Sequence, residues 1–277
     1  MSARLAARFA ALAARNQAGL VAFLMAGDPD PATALACMDA AITAGADVLE
    51  IGVPFTDPSA DGPSIQRAAE RALKSKAGLP TALAAAKALR AKHPETPLVL
   101  MGYANPIERM GPQRFAVALR EAGADGAIVV DLPPEEDEEL RTALENEGLC
   151  LIRLATPTTS PQRLHQVVSG ASGFLYYVAV AGVTGGQSAT PEAAERALAA
   201  LKQATALPIA LGFGVRSPAA AAAFARFADA VVVGSALVDA VGEAAAGEAP
   251  GRVGETVRQL AGAVHAARAP GEDDDGR

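Results

Sequence analysis

Short apolar runs alternate with longer, Ala-rich amphipathic stretches along nearly the whole chain. The runs cover residues 20–25, 47–51, 98–101, 126–130, 150–154, 173–178, 208–211 and 230–233. They are too short for helices and apolar at odd and even positions alike. That is the pattern of parallel strands covered on both faces. The stretches between them predict helices over 31–44, 63–75 with 79–92, 112–122, 134–147, 161–169, 191–204 and 218–227, and a last helical segment running to Arg268. Several of these open on proline, and several close on glycine (Gly45, Gly123, Gly148, Gly170), as helices do. Gly45-Ala-Asp47 and Gly123-Ala-Asp125 repeat one helix-to-strand connector. Ahead of the first run, Leu5, Phe9 and Leu12 fall at helical spacing. The chain is therefore expected to be α/β, a (β/α)8 TIM barrel with an extra N-terminal helix. A single barrel domain over 1–268 and a disordered acidic tail over 269–277 complete the expectation. A doubly wound open sheet is the runner-up.

A barrel carries its chemistry on the loops that follow the strands. In this sequence those loops collect the polar and glycine residues: Gly27-Asp28-Pro29, Glu50 with the loop to Asp61, Gly102-Tyr103-Ala-Asn-Pro106, Asp131-Leu-Pro133, Thr156-Pro-Thr-Thr159, Ala181-Gly-Val-Thr-Gly-Gly186, Gly212-Phe-Gly-Val215 and Gly234-Ser235. The opposite connections are short and plain, so one face is the functional one. Glycines in the loops after the last three runs let backbone N–H groups approach an anion, and a helix N-terminus adds partial positive charge. Each glycine alone serves a tight turn equally well. Together, in barrel order, they favour a phosphate site.

Composition narrows the classes. A net charge of −7 with no Lys/Arg-rich run argues against a nucleic-acid partner. No apolar run is long enough for a membrane span, and Arg4, Arg8 and Arg15 interrupt the N-terminal segment where a signal peptide needs an apolar core. Cys37 and Cys150 lie far apart in apolar settings and read as buried free thiols, which points to a reducing, cytoplasmic compartment. No His/Cys/Asp cluster has metal-ligand spacing, so no metal site is expected. His93, His165 and His265, on helices or their ends, read as solvated.

The most informative stretch is Leu49-Glu-Ile-Gly-Val-Pro-Phe-Thr-Asp-Pro-Ser-Ala-Asp-Gly-Pro-Ser-Ile-Gln66. Glu50 sits among apolar neighbours in a strand, where a carboxylate is costly unless it is paired or has raised its pKa. Asp61 follows a loop with two prolines, Pro54 and Pro58, and precedes a helix start at Gly62-Pro63. Two carboxylates around one such loop suit acid/base work. A structural Glu50 paired to an arginine, and an Asp61 that merely caps the helix, remain open on these residues alone.

That stretch resembles the signature of the tryptophan synthase alpha chain family. Met101-Gly-Tyr-Ala-Asn-Pro106, Asp131-Leu-Pro133 with Glu135-Glu136, Ala181-Gly-Val-Thr-Gly185, Gly212-Phe-Gly-Val215 and Gly234-Ser235 support the resemblance, in the same order along the chain. The resemblance implies a lyase that cleaves indole-3-glycerol phosphate to indole and glyceraldehyde 3-phosphate, the alpha reaction of the last step of tryptophan biosynthesis. It makes Glu50 the general acid toward indole C3 and the base on the side-chain hydroxyl, and Asp61 the ionised partner of the indole N–H. It puts Phe23, Met101 and Phe213 around the indole ring, with Tyr103 and Tyr176 also in the substrate pocket. Tyr176 is chosen over Tyr177 by that match. Thr184 would close over the substrate and hydrogen-bond Asp61, while Gly185, Gly214, Gly234 and Ser235 hold the phosphate. The resemblance also implies a beta chain partner in an α2β2 assembly, fed with indole through a channel and docked on 54–60, Asn105-Pro106 and 131–134. The alpha chain needs no cofactor; pyridoxal phosphate belongs to the beta chain. Ala179 and Val180 depart from the family, which often has Ser and a basic residue there, so the following loop is anchored differently. Competing readings are another phosphate-binding barrel enzyme, a free-standing indole-releasing lyase, and a non-catalytic activating subunit. No Lys stands at a strand C-terminus, as an indole-glycerol-phosphate synthase would require.

Overall fold

The computed structural model describes residues 2–179, 190–212 and 214–268. Every predicted apolar run within it is a strand: β1 (Gly19–Met25), β2 (Val48–Gly52), β3 (Leu98–Gly102), β4 (Gly126–Val129), β5 (Cys150–Ala155), β6 (Leu175–Val178), β7 (Ile209–Gly212) and β8 (Ala230–Val233). They pair in parallel in chain order, and β8 pairs with β1, which closes the barrel. The helices are α1 (Ala3–Ala14), α2 (Pro31–Thr43), α3 (Pro63–Lys74), α4 (Leu79–Lys92), α5 (Ala104–Met110), α6 (Pro112–Glu121), α7 (Glu138–Asn146), α8 (Pro161–Ser169), α9 (Pro191–Ala204), α10 (Pro218–Ala225), α11 (Ser235–Gly242) and α12 (Ala249–Ala266). Proline occupies the first position of α2, α3, α6, α8, α9 and α10, where its missing N–H costs nothing. Asp30, Ser160, Thr190 and Ser217 cap the helices that follow them through side-chain oxygens.

Alternate strand residues divide into two cores, which is why the runs are apolar throughout. Val21, Val48, Val99, Ile128, Ile152 and Val232 fill the barrel interior. Leu20, Leu49, Leu98, Leu100, Leu175 and Val231 face outward into the layer of helices. The amphipathic α1 closes the N-terminal end, burying Leu5, Phe9 and Leu12; Phe9 lies 5.6 Å from Phe174, ring to ring. Each such buried side chain contributes about 1.5–3 kcal/mol.

The repeated connector has a physical role. Asp47 accepts the N–H of Leu20 (2.8 Å), and Asp125 accepts that of Leu98 (2.9 Å). Asp229 does the same for Ile209 (2.9 Å), and the Ser172 hydroxyl for Leu151 (3.0 Å). Each even-numbered strand is thus preceded by a side chain that satisfies an N–H in the first two residues of its odd-numbered neighbour.

Three boundaries differ from the sequence reading. Residues 104–110 form helix α5 rather than a loop, because Pro106 falls in its first turn, where no intrahelical acceptor awaits an N–H. Helix α7 begins at Glu138, not at Pro134: the Asp137 carboxylate is drawn into a bidentate pair with Arg153 on β5 (2.6 and 2.7 Å). The last helical segment is two helices, parted near Gly247, whose φ of +82° ends any α-helix. His93 and His265 are not merely solvated; they contact Asp39 and Asp47, each at 2.7 Å. His165 is exposed. Cys37 and Cys150 are buried free thiols as expected. No helix among the described residues is long and apolar enough to cross a membrane.

Candidate active site

Glu50 is the third residue of β2, and its register partners are Phe23 on β1 and Val99 on β3. Val99 lines the barrel interior, so Glu50 points inward too. Its side chain is fully buried, and neither carboxylate oxygen has a hydrogen-bond partner among the described residues. Among the described residues no arginine pairs with it, which argues against the structural reading left open above. Burial without compensation pushes its pKa up to about 8. At neutral pH this is a carboxylic acid with a proton to give.

Asp61 stands one residue before the N-cap position of α3, which Gly62 occupies without a side-chain bond. Asp61 is therefore not the cap of that helix. Partial burial raises its pKa to about 6, against a hydrogen bond from the Tyr103 hydroxyl that lowers it. The carboxylate is ionised near neutrality. Tyr103 is buried, stacks on Phe55 (5.1 Å between ring centres), and accepts the Ala60 N–H at 3.1 Å. It sits beneath the Asp61 loop and grips it at two points.

Tyr176 lies within electrostatic reach of both carboxylates. It packs with the barrel interior, while Tyr177 faces the helix layer, as the alternation of a strand requires. Burial, then the nearby charges of Glu50 and Asp61, hold its hydroxyl protonated far beyond the usual range. Gly212 on β7 makes room for it: a Cβ there would lie 2.6 Å from the tyrosine oxygen. Gly52 likewise leaves room for the Phe23 ring, which a Cβ would meet at 2.5 Å. Phe23 and Met101 pack together with Ile65 and Val238 above the interior, giving an apolar wall beside Glu50.

Two of the phosphate candidates, Gly234 and Ser235, stand at the start of α11. Gly234 holds its N-cap position with no capping side chain, and Ser235 is its first residue, so its leading N–H groups are not satisfied by a cap. Gly214 has φ +65° and open space where a Cβ would stand. Thr184, Gly185 and Phe213, named from the sequence, lie outside the described residues, as does Val180.

Two polar groupings beside the site escaped the sequence reading. Asp28, in the Gly27-Asp28-Pro29 loop, forms a bidentate pair with Arg71 of α3 (2.6 and 2.7 Å), and Arg71 also donates to the Val238 carbonyl in α11 (3.1 Å). Asp239 of α11 accepts from Ser64, Arg67 and Arg216. The polar loop around Asp28 was visible in the sequence, but its partner lies 43 residues away. No spacing rule connects them.

Comparison with known proteins agrees with this geometry. The family model described as "Tryptophan synthase alpha chain" matches residues 9–265. The tryptophan synthase alpha chain of Novosphingobium aromaticivorans is 53% identical over 255 residues, covering 92% of this chain and 96% of that one. That of Rhizorhabdus wittichii is 55% identical over 240 residues, covering 87% and 89%. Among solved structures, tryptophan synthase subunit alpha from Legionella pneumophila superposes with a TM-score of 0.88 at 37% identity, covering 95% of this chain and 98% of that one. A chain of tryptophan synthase from M. tuberculosis gives 0.86 at 36% identity, covering 95% and 98%. The match spans both carboxylate positions and nearly the whole barrel around them, and on it this chain belongs to the tryptophan synthase alpha chain family.

Proposed function

We propose that Glu50 and Asp61 divide the proton chemistry of the family reaction, the cleavage of indole-3-glycerol phosphate to indole and glyceraldehyde 3-phosphate. One observation carries the assignment: a fully buried carboxyl with no hydrogen-bond partner among the described residues, at the catalytic end of the barrel, with a second carboxylate of lower pKa on the loop that follows it. The protonated Glu50 gives its proton to indole C3. The ring nitrogen gains positive charge, which the Asp61 carboxylate stabilises through the N–H. The Glu50 carboxylate so formed takes the proton of the hydroxyl on the adjacent side-chain carbon. The carbon–carbon bond breaks, its electron pair returns to the ring, and the hydroxyl carbon becomes the aldehyde. Glu50 ends as it began, protonated. Tyr176, which gives Glu50 no hydrogen bond, orients the glycerol hydroxyls. Phe23, Met101 and Phe213 form the indole slot, Tyr103 steadies the Asp61 loop at the pocket edge, and Thr184 closes over the substrate. Gly185, Gly214, Gly234 and Ser235 hold the phosphate.

The partner in this reading is a beta chain, in an α2β2 assembly. Phe55 stacks on Tyr103, and the Ala104 N–H donates to Asp131 at 2.8 Å, so the loops after β2, β3 and β4 form one continuous surface beside the carboxylates. Docking there orders the loop that carries Asp61. Buried free thiols favour the cytoplasm as the compartment. The experiment is release of glyceraldehyde 3-phosphate from indole-3-glycerol phosphate by the purified chain, with and without a beta chain. Slow cleavage that rises sharply with the partner supports the reading. Fast cleavage alone would instead mark a free-standing lyase, and no cleavage under either condition would overturn it.

A further inference from the structure

We propose that Ser64 and Arg216, meeting at Asp239, are positioning residues that hold the phosphate cradle in register with Asp61. The inference rests on the reading of the phosphate site above. Ser64 is the second residue of α3, three positions after Asp61, and is buried. Its hydroxyl donates to the Asp239 carboxylate at 2.9 Å and accepts from Arg67 (3.1 Å) and Arg216 (3.2 Å). Arg216 donates to the same carboxylate oxygen of Asp239 at 2.9 Å, and Arg67 to the other at 3.2 Å. These residues come from separate parts of the site. Ser64 opens the helix that follows Asp61, Arg216 lies two residues after Gly214, and Asp239 lies one helical turn after Ser235. One junction therefore ties the Asp61 loop, the loop after β7 and the N-terminal turn of α11.

The ties resist sliding in a way that apolar packing does not. Charge-assisted bonds to one carboxylate fix direction as well as distance. Arg71 adds a second tie between α3 and α11 through the Val238 carbonyl. A substrate held by its phosphate at one end and its indole N–H at the other spans this junction. A shift of α11 against α3 would displace the ring from Asp61 whenever the phosphate is seated.

The consequence is specific to the phosphorylated substrate. Ser64→Ala and Arg216→Gln are expected to lower kcat/KM for indole-3-glycerol phosphate about tenfold, mainly through KM. Cleavage of the dephosphorylated indole-3-glycerol should change by less than about twofold, since nothing then anchors the ring to α11. Arg216→Lys, which keeps the charge but loses the fork, should recover part of the loss. Calorimetric binding of inorganic phosphate gives a readout independent of turnover, and Arg216→Gln, which frees the loop carrying Gly214 from α11, should weaken it. That arm reports on the junction even where the parent cleaves neither substrate. Equal losses on both substrates, or unchanged phosphate binding, would overturn the proposal and leave the junction a purely structural tie.

Discussion

At the N-terminal end of the barrel, Asp47 and Asp125 are nearly as buried as Glu50 is toward the other end, yet their oxygens are fully engaged. Asp125 receives Arg4, Arg90, the Ser2 hydroxyl and the Leu98 N–H. Asp47 receives the Leu20 N–H, His265 and Arg8. Glu50 receives nothing from the described residues. Burial is common to both ends, and compensation differs. Where partners compensate, a buried carboxylate clamps strands together. Where they do not, its proton affinity rises and its oxygens stay free for a substrate. One end of the fold uses carboxylates for cohesion, and the other keeps one in reserve for chemistry.

The sharpest way to break this contrast is to neutralise one member at each end. Glu50→Gln removes the transferable proton, and cleavage should fall by roughly 10³-fold or more in a steady-state assay. Stability should move the opposite way. The folded pKa of Glu50, about 8, lies above the ordinary 4.5, so the folded state retains a proton that the unfolded state releases between those values. The parent therefore loses stability as pH rises from about 4.5 to about 8, and the loss is constant above that. The glutamine variant escapes the penalty, so its advantage should grow across the same window by up to a few kcal/mol in urea unfolding. A variant less stable than the parent at pH 8 would contradict the uncompensated burial of Glu50.

At the other end, Asp125→Ala should do the reverse. It strands Arg90, itself mostly buried, and leaves the Leu98 N–H without its acceptor. The expected cost is about 3–5 kcal/mol of unfolding free energy. The fraction that remains folded should cleave substrate within about twofold of the parent. A large loss of turnover in that folded fraction would mean that the two ends are not separable.

A pH profile sharpens the contrast without mutation. Glu50 must be protonated to act as the acid, so activity should fall above about 8. Asp61 must be ionised to hold the indole N–H, so activity should rise through about 6. The kcat/KM profile of the isolated chain should be a bell with its plateau between those values. Glu50→Asp, if it retains measurable activity, should move the alkaline limb alone.

The strands could be read from the sequence because a barrel buries both faces of every strand, and a run of apolar residues is all that this requires. The boundaries of α5, α7 and α11 could not. Each is set by a tertiary or conformational event: Pro106 falling inside a first turn, Asp137 captured by Arg153, Gly247 at positive φ. The same division runs through the site. Glu50 and Asp61 stood out because a carboxylate in an apolar strand and a second one at a Gly-Pro helix start are local anomalies. Tyr176 needed a family resemblance to separate it from Tyr177, since adjacent positions differ only in the face they present. The Ser64, Arg216 and Asp239 junction was invisible, because its members are ordinary polar residues scattered from residue 64 to residue 239.

The mildest test concerns Tyr103, which belongs to the catalytic end but behaves like the clamps of the other. Its hydroxyl accepts the Ala60 N–H and donates to Asp61, stabilising the ionised form of that carboxylate. Tyr103→Phe keeps the stack on Phe55 and removes only the oxygen. Without the donated bond the Asp61 pKa should climb above about 6, because burial then acts unopposed by its hydrogen-bond partner. The acid limb of the bell should shift upward while the alkaline limb, governed by Glu50, stays in place. A bond of about 1 kcal/mol moves that limb by about 0.7 of a pH unit, so activity relative to the parent should drop about fourfold at about pH 5.5 and by less than about twofold at pH 7. A uniform drop at every pH would instead mean that Tyr103 only shapes the loop. In that case the partial protonation of Asp61 would owe nothing to its one described side-chain partner.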